Sequence, residues 1–374
     1  MLEKALTGSK RYWTWIGFLL AIMAGGGLAF LYQFIEGLGV TGLSRDVPWG
    51  FYIAQFTFLV GVAASAVMVV IPYYLHDYHV FGKMAVLGEF VAVAAVSMCM
   101  GFIVADMGQP TKVMNIFFHP NFSSLMVFDT LVCFGYLALN VLIAFITFGA
   151  ERKGMAPPKW IKPFIYLSIP WAVSIHTVTA FLYNGLAARP FWMSAILAPR
   201  FLAAAFAAGP SLLIILCLIL RKVANYDVGD KAIKKLAVIV TYAMITNVFF
   251  ILLEVFTAIY SQMPHHLHPF QYLFFGYEGY NNLVPWMWAS VVLAIGSLVL
   301  LINPTFRNNL NTLAVACGMV FFSLWIDKGM CMVITGFIPN PMNRVTEYTP
   351  TIVEVAITLA IWAMGFLIIT GLYK

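Results

Sequence analysis

LAVIVTYAMITNVFFILLEVFTAIY, residues Leu236–Tyr260, is a 25-residue run that contains one charged side chain, Glu254. As an α-helix rising about 1.5 Å per residue, such a run can cross the ~30 Å hydrocarbon core of a bilayer. A helix of a soluble protein keeps a polar face toward water, and this run is apolar on every side. It therefore predicts a transmembrane helix.

Nine further runs of this kind are present in the sequence. Of the 374 residues, 62% are hydrophobic and 10% are charged, whereas an ordinary soluble domain has about 25% charged residues. The sequence predicts an all-α, polytopic integral membrane protein that forms one transmembrane domain over residues 1–374. The ten predicted spans are Tyr12–Tyr32, Trp49–Tyr74, Met84–Ala105, Ser123–Phe148, Pro163–Leu186, Phe201–Leu220, Leu236–Tyr260, Pro285–Leu301, Leu313–Phe337 and Thr351–Leu372.

The lysines and arginines predict the orientation of these spans. With a cytoplasmic N-terminus, the inner segments hold fifteen of them and the outer segments five, while Lys328 lies within a span. Basic residues concentrate in cytoplasmic loops, so both termini are predicted to be cytoplasmic. Because these residues lie beside anionic lipid, the net charge of +6 gives no reason to expect a nucleic-acid partner. The five outer residues are Arg45, Lys112, Arg189, Arg200 and Arg344.

The spacing of the cysteines and histidines does not match that of a metal-binding site. All five cysteines fall in predicted spans without a CxxC pair, so neither an iron–sulfur cluster nor a zinc ion is expected. A membrane haem needs two facing axial ligands, and His176 is the one histidine inside a predicted span. A haem-bearing cytochrome subunit is therefore the least favoured of the three functions considered for this chain.

Nine ionisable side chains lie inside the predicted spans or at their mouths. A charge in the bilayer centre costs roughly 2.5–3.5 kcal/mol on insertion scales, so each is a candidate functional residue. Most lie in the outer half, and Glu89 is the one clearly in the inner half. The nine are Glu89, Asp106, Asp129, His176, Glu254, Asp327, Lys328, Glu347 and Glu354.

This distribution predicts a polar pocket that opens outward and a sparse polar route that continues inward. A quinone head group needs such an arrangement, since it enters from lipid and exchanges two protons on oxidation or reduction. Desolvated carboxylates and a histidine can accept those protons. Asp129, His176 and Asp106 are the predicted quinone-binding residues. The predicted proton path consists of Glu89, Glu254, Asp327, Lys328 and Glu354.

Purely structural explanations exist for the same residues. Asp327 and Lys328 could pair with Glu254 or Glu354 and fix the packing of the helices. A histidine in a span can serve as an interhelical hydrogen bond, and Asp106 begins a turn, Asp106-Met-Gly-Gln-Pro110.

Several motifs resemble the polysulfide reductase membrane subunit (NrfD) family over nearly the whole chain. The run Val104–Pro110 is similar to its DLGRP-like turn, and Pro120–Met126 with Asp129 is similar to its PN-S-M-WD stretch. Gln109 and Phe128 depart from that pattern, where arginine and tryptophan are usual. Further matches are Ile175-His176-Thr177, Ala198-Pro199-Arg200-Phe201, Asp327-Lys328-Gly329-Met330, Gly336-Phe337-Ile338-Pro339 and Glu347-Tyr348-Thr349-Pro350-Thr351.

The resemblance is to a ten-span branch that includes membrane subunits of sulfate-reducer respiratory complexes. It implies two four-helix bundles, a menaquinone site near the outer face, and no haem or iron–sulfur cluster in this chain. It also implies an extracytoplasmic, ferredoxin-like iron–sulfur partner and other membrane and haem subunits of the same complex. The expected location is the prokaryotic cytoplasmic membrane. On this resemblance, Asp129 matches the aspartate of the WD stretch and His176 the histidine of the fifth span.

A different class of function fits the same charges. Ten spans and charged residues near mid-membrane are also typical of secondary transporters. In that hypothesis Glu254, Asp327 and Lys328 form an ion-coupled site.

Overall fold

Ten long apolar helices make up most of the computed structural model, which describes residues 7–76, 78–152, 155 and 158–374. Each is long and apolar enough to cross a membrane, which confirms the predicted number of spans. Lys4 and Lys153, two of the basic residues counted as inner, lie outside the described residues. The helices are α1 (Lys10–Glu36), α2 (Phe51–Tyr74), α3 (His79–Asp106), α4 (Leu125–Ala150), α5 (Lys159–Asn184), α6 (Leu197–Ala224), α7 (Asp230–Ser261), α8 (Val284–Ile302), α9 (Leu310–Thr335) and α10 (Ile352–Tyr373).

The start of α6 differs from the prediction in a way that matters for the site. The helix begins at Leu197 rather than Phe201, so Arg200 belongs to the helix and is 7% exposed. Pro199 does not prevent this, because the first helical turn needs no backbone N–H donor. The assignment of Arg200 to the loop before this helix was wrong: it lies in the first turn of α6.

The helices form the two predicted four-helix bundles. Helices α2 to α5 pack as one bundle, in which α2 contacts α3 and α5, and α4 contacts α3 and α5. Helices α6 to α9 form the second bundle in the same way, while α10 packs against both α1 and α3. Helix α2 also contacts α6 and α9, so it lies at the junction and is the most deeply buried span.

A π-helical turn interrupts α9 at Trp325–Cys331. Such turns are rare and frequently occur at functional sites. This turn contains Asp327, Lys328 and Gly329, all buried. A Cβ on Gly329 would lie 3.0 Å from the Ala54 carbonyl oxygen, so glycine allows the turn to pack directly on α2.

The glycine run of α1 explains how that helix attaches to α10. A Cβ on Gly26 would lie 2.2 Å from the Ala360 Cβ, whereas Gly25 and Gly27 face open space. Gly26 therefore permits close helix packing, as small residues commonly do in membranes.

Candidate functional site

Asp129 of α4 and His176 of α5 both lie inside the first bundle. The Thr179 hydroxyl donates to Asp129 Oδ1 at 2.6 Å, linking α5 to α4. His176 lies three residues before Thr179, and side chains at that spacing share one helix face. Asp129 is 4% exposed and His176 is fully buried. Thr179 of α5 therefore faces the carboxylate of α4, and His176 lies one turn away on the same side of α5.

The two nitrogens of the His176 imidazole have different surroundings. Its Nδ1 lies 3.1 Å from the Ala172 carbonyl oxygen one turn earlier in α5. Its Nε2 is buried and has no hydrogen-bond partner in the described part of the chain. A buried polar atom without a partner is uncommon in proteins and suggests a ligand or water at that point.

Aromatic side chains cover the outer end of this bundle. The Tyr183 hydroxyl is 2.5 Å from Thr57 Oγ1, which joins α5 to α2. The Tyr183 ring packs edge-on against Trp192 and Trp49, with centroids 4.9 and 5.4 Å away. Phe337 packs edge-on against both indoles. These rings place an apolar cover between the polar bundle interior and the outer surface.

Asp106 lies apart from that pair, at the last residue of α3. Its Oδ1 is buried and lacks a hydrogen-bond partner among the described residues. Gln33 of α1 lies beside it, donating to the Ala105 carbonyl at 2.7 Å and accepting from the Tyr52 hydroxyl at 2.7 Å. The structure therefore places Asp106 beside a polar contact between α1, α2 and α3, at the outer mouth of the first bundle.

Arg200 binds two carboxylates in the second bundle. One guanidinium nitrogen donates to both oxygens of Asp327 at 2.9 Å, and the other donates to Glu254. This Arg200 cluster (Arg200, Glu254 and Asp327) joins α6, α7 and α9. The structural alternative considered from the sequence paired Asp327 and Lys328 with Glu254 or Glu354. The structure instead gives both Asp327 and Glu254 the same arginine, which sequence analysis had assigned to a loop.

The buried side chain of Lys328 packs against Phe201. It is 3% exposed, and its ammonium lies 4.4 Å from the Phe201 ring centroid and 3.5 Å from the Phe201 carbonyl oxygen. No salt bridge to Lys328 occurs in the described ranges. Its Nζ lies 3.1 Å from the position that a Cβ atom on Gly61 of α2 would occupy. The charge of Lys328 also acts on His176 and Cys99. Lys328 therefore extends from the second bundle toward the first.

Glu354 has a clear structural role at the start of α10. Its Oε2 accepts from the backbone N–H of Thr351 and of Gly42, each at 2.8 Å. With Thr351 it forms a capping box, which satisfies two helix-end donors at once. Its Oε1 accepts from the Tyr348 hydroxyl at 2.5 Å. Burial raises the pKa of Tyr348, so this phenol stays a donor at neutral pH.

Glu89 lies in the inner half of the first bundle. The Thr147 hydroxyl donates to Glu89 Oε2 at 2.9 Å. Beside this pair is a small cavity, about the size of one water molecule, that Tyr136, Asn140 and Ser168 also line. Glu89 therefore has both a protein partner and polar space next to it.

Some of these residues could not be identified from the sequence. Thr179 and Thr147 carry the two carboxylate contacts of the first bundle, yet a threonine in a span is too common to stand out. Arg200 did carry a signal, since it lies in the matched segment Ala198–Phe201. In the described residues, no group of three or more histidine, cysteine or acidic side chains could hold a metal ion.

Comparison with known proteins identifies the family. Residues 39–339 match the family model described as polysulphide reductase, NrfD. A Halobacterium salinarum protein, named provisionally as a membrane subunit of dimethyl sulfoxide reductase, is 24% identical over 95% of this chain and 89% of its own length. The Hdr-like menaquinol oxidoreductase integral membrane subunit of Archaeoglobus fulgidus is 22% identical over 96% and 92%. The menaquinone reductase integral membrane subunit of Nitratidesulfovibrio vulgaris is 20% identical over 98% and 91%. This multi-pass membrane protein belongs to the polysulphide reductase NrfD family.

Proposed function

We propose that this chain is the quinone-interacting membrane subunit of a respiratory electron-transfer complex. One observation carries the proposal: the first bundle buries a carboxylate, Asp129, and an imidazole, His176, whose Nε2 has no partner among the described residues, and Thr179 links the two helices that carry them. Two relatives that align over nearly the whole chain are named for menaquinol or menaquinone. The chain is expected to be inactive without its partner subunits.

Menaquinone is the proposed ligand, and the residues present are suited to its head group. It would supply a carrier of two electrons and two protons that is soluble in the bilayer. Asp129 and His176 would bind the head group and exchange its protons, because both can accept a hydrogen bond and neither has a salt-bridge partner in the described part of the chain. Asp106 would lie toward the outer mouth, where its unpaired oxygen could receive a released proton.

The proposed route for protons uses ionisable residues of both bundles. Glu89, with its hydrogen-bonded threonine and its water-sized cavity, is the best inner candidate. Glu254, Asp327 and Lys328 form a separate route in the second bundle, where proton transfer would have to break a contact of Arg200. Glu354 could transfer protons at the outer end only if its carboxylate gave up the hydrogen bonds of the capping box with Thr351.

The partners are proposed from the resemblance in the sequence. The ordered outer side, with the loop helix Pro264–Phe274 between α7 and α8, suits a docked ferredoxin-like iron–sulfur protein. The motifs most resemble DsrP, the quinone-interacting subunit of a sulfate-reducer membrane complex that also contains other membrane and haem subunits. On this resemblance we propose a role in sulfur or sulfate metabolism, in the cytoplasmic membrane of a prokaryote.

The ion-coupled transporter hypothesis is less consistent with the contacts. A cation site built from Glu254 and Asp327 would have to compete with the Arg200 guanidinium, which binds both carboxylates. Charged pairs of this kind, once buried, resist separation.

Purification of the chain from its native membrane in mild detergent tests the proposal. We expect it to co-purify with redox-active subunits, identified by mass, and with menaquinone in the extracted lipid. A chain that purified alone and transported a solute in vesicles would instead support the transporter hypothesis.

A further inference from the structure

The small cavity beside Glu89 lies in the inner half of the first bundle, away from the proposed quinone site. Residues of α2, α3, α4 and α5 line it, and all of them are buried, so the cavity is enclosed. Empty cavities in proteins are apolar, whereas polar cavities of this size hold a small polar occupant. Glu89, Asn140, Tyr136 and Ser168 make this wall polar. The chemistry of the wall therefore indicates what the cavity holds.

The uncharged polar groups of the wall already use their hydrogens elsewhere. The Ser168 hydroxyl donates to the Ile165 carbonyl at 2.7 Å. The Asn140 amide donates to the Tyr136 carbonyl at 2.8 Å and also hydrogen-bonds the Tyr136 hydroxyl. That hydroxyl in turn donates to the Ala63 carbonyl at 3.4 Å. Oxygen lone pairs of Ser168 and Asn140 are therefore what these side chains have left for an occupant.

Glu89 adds a carboxylate to this set of oxygens. It accepts from the Thr147 hydroxyl at 2.9 Å, and a carboxylate has about four lone-pair positions, so it can bind more than one partner. A water molecule could donate its two hydrogens here. Its own lone pairs, however, would find no spare donor among the described side chains of the wall. An occupant that only receives lone pairs, a cation, fits these oxygens better.

Helix α2 is irregular at the same place. Ala64–Ala66 form a 3₁₀ turn within the span, and Ala66 and Val67 line the cavity. A 3₁₀ stretch inside a helix often marks a functional position. In membrane transporters, interrupted helices and buried carboxylates surround the coupling cations. Both features are present beside Glu89.

We propose that the Glu89 site (Glu89, Asn140 and Ser168) binds one dehydrated sodium ion. The single carboxylate balances a single positive charge, and a cavity the size of one water molecule accommodates sodium better than the larger potassium ion. Asn140 and Ser168 contribute neutral oxygen ligands from α4 and α5. A sodium ion and a proton would compete for the same carboxylate. While sodium is bound, Glu89 would therefore be excluded from the proposed proton route.

Sodium binding is tested on the native protein, purified with any bound subunits in sodium-free buffer. Thermal unfolding is followed while sodium chloride replaces potassium chloride at constant ionic strength. A ligand that binds the folded state stabilises it by mass action, so the unfolding temperature should rise by roughly a few degrees and then level off. Choline chloride should give no such rise. Equilibrium dialysis with radioactive sodium should show about one bound ion per chain.

Two variants place the ion in the cavity. Glu89→Gln removes the charge but keeps the shape, and it should abolish the sodium-specific rise. Ser168→Ala removes one oxygen ligand and should raise the half-saturating sodium concentration about tenfold, the usual effect of losing one polar contact. Ser174→Ala is the matched control on the same helix. Its hydroxyl donates to the Trp171 carbonyl at 2.7 Å, as Ser168 does to Ile165, but Ser174 does not line the cavity.

The native comparison alone can overturn this proposal. Equal unfolding temperatures in sodium and potassium, without bound radioactive sodium, would mean that the cavity holds water. A sodium response that Glu89→Gln and Ser168→Ala left unchanged would place the ion elsewhere and would also overturn it. If Glu89→Gln failed to fold, Ser168→Ala against Ser174→Ala would decide. None of these measurements depends on quinone binding, so the proposed function is tested separately.

Discussion

Replacing Asp129 by Asn and His176 by Ala is expected to lower quinone-linked electron transfer by roughly 10²–10⁴-fold, the usual contribution of a positioned acid or base. Both groups lie inside the first bundle, where water cannot easily take over the exchange of protons. Each single change removes one proton acceptor, and the double change removes both. The measurement is the rate at which the purified complex oxidises or reduces a menaquinone analogue.

Two controls make this result specific. Thr130→Val changes a hydroxyl beside Asp129 on the same helix, and Asp46→Asn removes a carboxylate of an outer loop that accepts from Asn340 and Thr346. Both should retain native turnover. His176→Gln keeps a polar side chain of similar size, so it separates loss of the imidazole from loss of packing. Native turnover in the double variant, with the protein folded, would eliminate this pair as the reacting site.

Replacing Arg200 by Met is expected to have the largest effect on stability. Asp327 and Glu254 would be left buried beside each other without a cation, and breaking a buried ion pair costs about 3–5 kcal/mol. Arg200→Lys should recover only part of this, because an ammonium cannot reproduce the forked contacts of a guanidinium. Thermal unfolding in detergent and the yield of folded protein are the measurements.

A charge-neutral triple variant is the control for this prediction. Combining Arg200→Met with Glu254→Gln and Asp327→Asn removes the two orphaned charges and should recover most of the lost stability. If the Arg200→Met variant had the same unfolding temperature as the native protein, this prediction would be contradicted. The Arg200 cluster would then not hold α6, α7 and α9 together in the way the contacts indicate.

The spans could be predicted from the sequence because hydropathy is a local property. A run such as Leu236–Tyr260 needs no information about its neighbours to be recognised as a membrane helix. The sequence also located Asp129 and His176 within spans, and the structure joins Asp129 of α4 to Thr179, three residues after His176 in α5. The two bundles, in contrast, were expected from the resemblance rather than from any periodicity.

The contacts that were missed depend on tertiary packing. Pro199 and the charged Arg200 are typical of the end of a loop, so the sequence predicted that α6 begins after them. The helix in fact begins at Leu197, because the carboxylates of α7 and α9 pair with the Arg200 side chain. The π-helical turn at Trp325–Cys331 changes which side of α9 each residue faces, so an ideal helix misplaces Lys328. The partner of Asp129, Thr179, follows from the register between two helices, which a single sequence does not reveal.

Labelling with a photoreactive menaquinone analogue is the most direct test of a quinone site in the first bundle. The native complex is irradiated with the analogue, and the modified residues are located by peptide mass. The account predicts labels in α4 and α5 near Asp129 and His176, suppressed by excess menaquinone and by the double variant. Specific labelling confined to the second bundle, around Arg200, Glu254 and Asp327, would contradict it.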